Sequence, residues 1–232
     1  MNIIPGGKMK KIINTFFSPG ALFKQLKEKP EWLMPLIIVL LITAFSAVLT
    51  VNMTKGVMMS KQEEVLRDKG MTDEQIEQAQ QFLQRPITMV FSAIGALFYS
   101  IIILLIFSAV INVFIPILGG KGGFKLVFSV VCFSSLVTAL GSLIKLILVA
   151  VTKSPYVSTS FTLFAPNLAI ESFNYKLLSG FDFFSIWQMI LISMGISLTN
   201  EIKQKNGYIL VFLIWIVLIF VGAGLGSIFG HG

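Results

Sequence analysis

Between Ile87 and Leu118 the chain runs for 32 residues without a charged side chain. A helix of that length exceeds the roughly 30 Å of hydrocarbon in a bilayer. The segment therefore has the length to cross a membrane and must tilt, bend or end early. Four further runs are apolar and long, at about 33–51, 126–151, 183–199 and 208–229, the second of them holding one charge, Lys145. The expected fold class is all-α: a polytopic membrane protein with five transmembrane helices. A short amphipathic N-terminal helix and an extracytoplasmic helical hairpin complete it. Composition agrees, since only 12% of the residues are charged against about 25% in soluble domains.

The single cysteine, Cys132, lies inside an apolar run, so no disulfide framework or thiolate metal site forms within one chain. The net charge of +7 does not point to nucleic acid. The basic residues sit at the ends of apolar segments, where lysines set membrane topology.

Residues 1–32 form a basic segment in which Phe16, Phe17, Leu22, Phe23 and Leu26 are interspersed with lysines. Ser18 and Pro19 suit a helix start, which predicts an amphipathic helix over 18–29 in the headgroup region. Lys24, Lys27 and Lys29 would then meet the inner leaflet. The apolar run begins too late for a secretory signal peptide. Trp32 marks the interface where the first span begins.

Residues 52–86 are polar. Ser60 with Glu63, and Thr72 with Gln75, have capping-box spacing, and Gly70 separates them. Two helices outside the bilayer are predicted, near 61–69 and 73–84. The turn GGKGGFK, 119–125, lacks the phosphate-loop spacing and reads as a flexible link. In the third span, Ser134, Ser135, Thr138 and Ser142 suit one interhelical face. Lys145 lies inside that span, and an ionisable group there is a functional candidate or a snorkelling one. The loop 152–182 is expected to carry a helix within 167–178 that lies on or re-enters the membrane surface. In the last span Gly222, Gly226 and Gly230 recur every four residues and permit close helix contact.

With the N-terminus inside, segments 1–32, 119–125 and 199–207 carry ten Lys/Arg against three acids, and the outer segments seven against eight. The positive-inside rule selects a cytoplasmic N-terminus and an extracytoplasmic C-terminus.

No motif carries chemistry. HExxH, GxSxG and paired carboxylates within a span do not occur, and the one histidine, His231, is penultimate. No enzyme activity, cofactor or metal is expected. Polar contacts are instead expected among Lys145, Asp182, Glu171, Trp187 and Gln188. Lys145 is expected to pair with Asp182, with Glu171 as the competing partner. A helix cap is the other role for Asp182.

The stretch Phe181–Leu198 departs from a bland span. Its pattern D-x-F-S-I-W-x-x-x-L-x-x-x-G-I, here Asp182, Phe184, Ser185, Ile186, Trp187, Leu191 and Gly195, resembles the signature of the bacterial Yip (Ypt-interacting-protein) domain family. Pro19, Phe23 and the KPEW-x-x-P run from Lys29 to Pro35 resemble that family's entry into its first membrane helix. The resemblance covers about 16–225. It implies a membrane interaction or assembly protein of the cell membrane, and an accessory partner of a complex such as an ABC-type exporter. Membrane lipids and a second copy of the chain are further expected partners. A small transporter or channel using Lys145, Asp182 and Gln188 is the alternative from another class. A lipid-organising protein is the third.

Overall fold

The computed structural model describes residues 7–83, 86–170 and 172–229. Among these the regular structure is helical, α-helices and short 3₁₀ turns with one isolated bridge, joined by irregular links of which 153–160 and 165–170 are the longest. Two compact units divide it. One comprises 1–39, 104–141 and 158–232, and the other 40–103 and 142–157.

In the first unit, α1 (Lys8–Phe17) and α2 (Pro19–Glu28) are separated by Ser18. Pro19 at the first position of α2 fits, because its missing N–H would have had no intrahelical partner. The sequence reading saw α2 but not α1. It expected the apolar face of α2 to meet the headgroup region; the structure turns that face to protein. Leu22, Phe23 and Leu26 are fully buried, and α2 packs against α6 (Phe124–Ser134) and α9 (Phe183–Thr199). Its apolar stripe therefore faces protein.

Around α9 lie α2, α6 and α10 (Gln204–Phe229). Ile192 and Ile196 of α9, with Val130, Val131 and Phe133 of α6, are fully enclosed. α9 has 17 residues, about 26 Å of helix. That is a little short of the hydrocarbon core, while four longer segments have the length and hydropathy to cross it. The protein is thus a multi-pass all-α membrane protein. The third apolar run is not one helix. It breaks at Ser135 into α6 and α7 (Leu136–Thr152). The loop helix α8 (Phe173–Gly180) starts later than expected and packs on α10.

The second unit corrects the first span. α3 runs from Leu33 to Asp68 without interruption, so the expected separate helix near 61–69 is its continuation. The polar residues that suggested a stop are satisfied by their own helix. Asn52 Nδ2 donates to Val48 O, Thr54 Oγ1 to Thr50 O and Ser60 Oγ to Gly56 O, at 2.9, 2.8 and 3.1 Å. Gly56 alone costs about 1 kcal/mol, too little to end a helix. The second expected box is real. Thr72 N donates to Gln75 Oε1 at 3.0 Å, and Gln75 N to Thr72 Oγ1 at 3.4 Å. It opens α4 (Asp73–Leu83). Gly70, with φ +77°, makes the left-handed turn between the helices. α5 (Pro86–Phe114) then begins; it, α3 and α7 each contribute residues to both units.

Candidate functional site

Two places gather the polar residues of interest, one in each unit. In the first unit the signature residues of α9 act as packing devices. Asp182 is its N-cap, and its carboxylate accepts from Phe184 N at 2.9 Å and Ser185 N at 3.4 Å. Thr159 Oγ1 donates to the same carboxylate. Ser160 and Asp182 form an antiparallel bridge that fixes loop and helix start together. The cap role expected as one option for Asp182 is therefore filled.

Phe184 lies against Gly141, where a β-carbon would come within 2.6 Å of its ring. Trp187 meets Phe16 of α1 edge-on, with centroids 6.1 Å apart. Gln188 Nε2 donates to Ser135 Oγ at 2.8 Å, in a fully buried contact. Ser135 Oγ in turn donates to Val131 O, so the break between α6 and α7 lies where the two spans exchange a hydrogen bond. A β-carbon at Gly195 would sit 2.5 Å from Val130 Cγ1 and 2.9 Å from Phe23 Cε1. The glycine is what lets α2 reach α9.

The far end of α9 locks in the same way. Lys121 N donates to Asn200 O at 2.8 Å, and any side chain at Gly122 would strike the Asn200 amide. The turn 119–125 is thus a fitted piece and not a loose link. Glu201 holds the left-handed φ of +59°, which disfavours a residue with a β-carbon. Lys27 Nζ reaches its carboxylate at 2.7 Å and Lys121 Nζ at 4.0 Å. The hydrogen bond from Lys27, with the two lysine charges, lowers the Glu201 pKa. The three basic segments 1–32, 119–125 and 199–207 therefore meet in one cluster. Asn200 and Glu201 escaped sequence reading, because nothing local marks a helix-end pair that docks on a distant turn.

In the second unit, Thr43, Ser46 and Thr50 of α3 face Ser142 and Lys145 of α7 across a cavity of about 400 Å³. Ser142 Oγ donates to Ser46 Oγ at 3.4 Å. Ala47, Val51, Met58, Val149 and Pro155 complete the walls. Among the described lining residues, only Lys145 is charged. Such a site suits an anionic or hydrogen-bond-accepting group with an apolar body. Lys145 and Asp182 belong to different units, and their pairing remains an expectation. Glu171 and Gly230 lie outside the described residues. Among the described residues, no cluster of three or more His, Cys, Asp or Glu suits a metal.

The matching model is the Yip1 domain, over residues 13–225. The chain belongs to the Yip1 domain family. Within the matched stretch, Phe184, Gln188 and Gly195 are the residues at which α2, α6 and α7 meet α9. The chain is also 28% identical over 203 residues to membrane protein YknW of Bacillus subtilis (strain 168). That alignment covers 87% of this chain and 84% of the relative. No solved structure matches.

The expected glycine face behaves differently from the Yip1 core. Gly222 has no neighbour within 4 Å, and Gly226 meets only the Lys176 side chain. Lys176 Nζ donates to Gly226 O. The close approach of α10 to α9 is made instead at Gly207, against Ser193 O and Ser197. Lys24 is exposed, and Lys29 lies 3.8 Å from Glu31.

Proposed function

We propose that this chain is an accessory protein of the cell membrane that binds another membrane complex, such as an ABC-type exporter, through helices its own fold leaves bare. One observation carries the reading. In the most apolar stretch of Phe124–Thr152, 72% of residues are buried, against 22% in each of Leu33–Asp68, Ile94–Leu118 and Gln204–Ser227. Gly95 in α5 and Gly222 in α10 have open space where a side chain would go. A glycine inside a helix costs about 1 kcal/mol relative to alanine. At Gly141, Gly195 and Gly207 close helix contact offsets that cost. At Gly95 and Gly222 a second protein would do so.

A photo-cross-linking residue at Phe98, which is 62% exposed on α5, should capture one membrane protein in intact cells. The same group at the buried Val131 should not. Adducts to lipid alone from Phe98 would refute the reading, and adducts to a second copy would replace it with a homo-oligomer. In this reading the N-terminus is cytoplasmic and the C-terminus outside. Cysteines at Lys11 and Gln204 should resist an impermeant thiol reagent, and one at Gln78 should react. Labelling at Lys11 reverses the orientation.

The Lys145 cavity favours a second reading, a small transporter. Solute flux in proteoliposomes that Lys145→Met abolishes would establish it. No flux of any tested anion would leave the adaptor.

A further inference from the structure

A second cavity, of about 590 Å³, opens where α3 begins. Lys8, at the first position of α1, and Lys125, in the first turn of α6, stand over it. Pro30, Glu31 and Trp32 form its rim, and Leu33, Met34, Ile37 and Ile38 its apolar wall. Glu31 is already engaged by Lys11 Nζ at 2.9 Å and Lys29 Nζ at 3.8 Å. Neither Lys8 nor Lys125 has a salt bridge among the described residues. The groove thus combines an apolar wall with two lysines that form no salt bridge among the described residues, although the Lys8 charge is felt by Glu31. Leu33 and Ile37 are 56% and 46% exposed at the head of a span.

We propose that this groove binds one anionic phospholipid, with the headgroup phosphate between Lys8 and Lys125 and an acyl chain along Leu33, Ile37 and Ile38. The charge distribution selects the occupant. Trp32, held against Phe128 with centroids 5.5 Å apart, sets the depth, because tryptophan prefers the membrane–water boundary. Lysines at that level meet headgroup phosphates, and the wall beneath them meets acyl chains. A phosphatidylglycerol headgroup offers a phosphate without a cation. A phosphatidylcholine headgroup would bring its ammonium against the lysines. An acidic peptide would satisfy the cations but leave the apolar wall uncovered. Lipid binding here does not depend on what α5 binds.

The test uses the full chain in nanodiscs of phosphatidylcholine containing a minority of phosphatidylglycerol. Lipid kept on the protein after extraction is counted by native mass spectrometry. The wild type should keep one phosphatidylglycerol in preference to phosphatidylcholine. A lysine near an anionic surface contributes about fivefold. Lys8→Gln with Lys125→Gln should therefore reduce the preference on the order of 30-fold, and Lys24→Gln should leave it unchanged. Ile37→Trp, which fills the groove without touching the charges, should expel the lipid while circular dichroism stays that of the parent. Equal retention of the two lipids by the wild type would overturn the proposal. So would unchanged retention in the double variant, or competition by inorganic phosphate, which would mark a free-anion site.

Discussion

Gly195 and Gly95 are both glycines in the middle of apolar helices, and they have opposite surroundings. At Gly195 a β-carbon would collide with Val130 and Phe23, whereas at Gly95 it would meet nothing within 4 Å. The same residue type thus marks a finished internal contact in one place and an unfilled face in the other. Lipid is as apolar as leucine, so membrane helices associate through close packing and hydrogen bonds and not by burial from water. Where small residues sit, and whether the chain itself fills the space beside them, therefore separates the scaffold from the surface left for others.

The sharpest way to break this comparison is to put the same side chain in both places. Gly195→Leu should lower stability by about 1–3 kcal/mol, the usual cost of overpacking, or more if α2 detaches. Gly95→Leu should leave the unfolding midpoint no lower than the parent's and reduce cross-linking from Phe98. Equal destabilisation by the two would mean that α5 is packed in a way the structure does not show.

Next in size is the helix cap. Asp182→Ala should cost about 0.5–2 kcal/mol, the range for losing an N-cap. The cycle with Lys145→Ala sharpens the account: additive losses assign Asp182 to the cap alone, and a clear shortfall from additivity shows that it also feels Lys145.

The Gln188–Ser135 contact should show a coupling energy of about 0.6–1.7 kcal/mol in a double-mutant cycle, as for interhelical bonds in membranes. Zero coupling would reduce the polar signature to packing alone.

The smallest effect lies at the helix entry. The hydrogen bond from Lys11, followed by the lysine charges and against the cost of burial, holds the Glu31 carboxyl below its ordinary 4.5. A depressed folded-state pKa adds stability above the unfolded value, and this is lost as pH falls through the folded one. Thermal stability of the parent should therefore drop below about pH 4.5 more steeply than that of Glu31→Gln. The difference should be no more than about 1 kcal/mol, as for a partly exposed ion pair. A variant with the parent's profile would show that Lys11 and Glu31 meet without energetic consequence.

Charge-free runs and composition determined the all-α membrane class, because a bilayer admits no unpaired backbone and demands long apolar helices. The signature around Asp182 and Gly195 determined the family, and Thr72, Gln75 and Gly70 determined a hairpin end, since both are local patterns. Tertiary structure alone decided the rest. It ran α3 through Asn52 and Ser60 because a helix can bond their side chains itself. It turned the apolar face of α2 onto protein, because Gly195 leaves a notch for Phe23 that no spacing in 18–29 reveals. It made a fitted joint of the glycine turn, because Asn200 and Glu201 arrive from some 80 residues downstream. It also placed the close approach of α10 to α9 at Gly207, which the repeat of Gly222 and Gly226 does not mark. A repeat of small residues states only that a neighbour can come near, and the arrangement of the helices decides which one does.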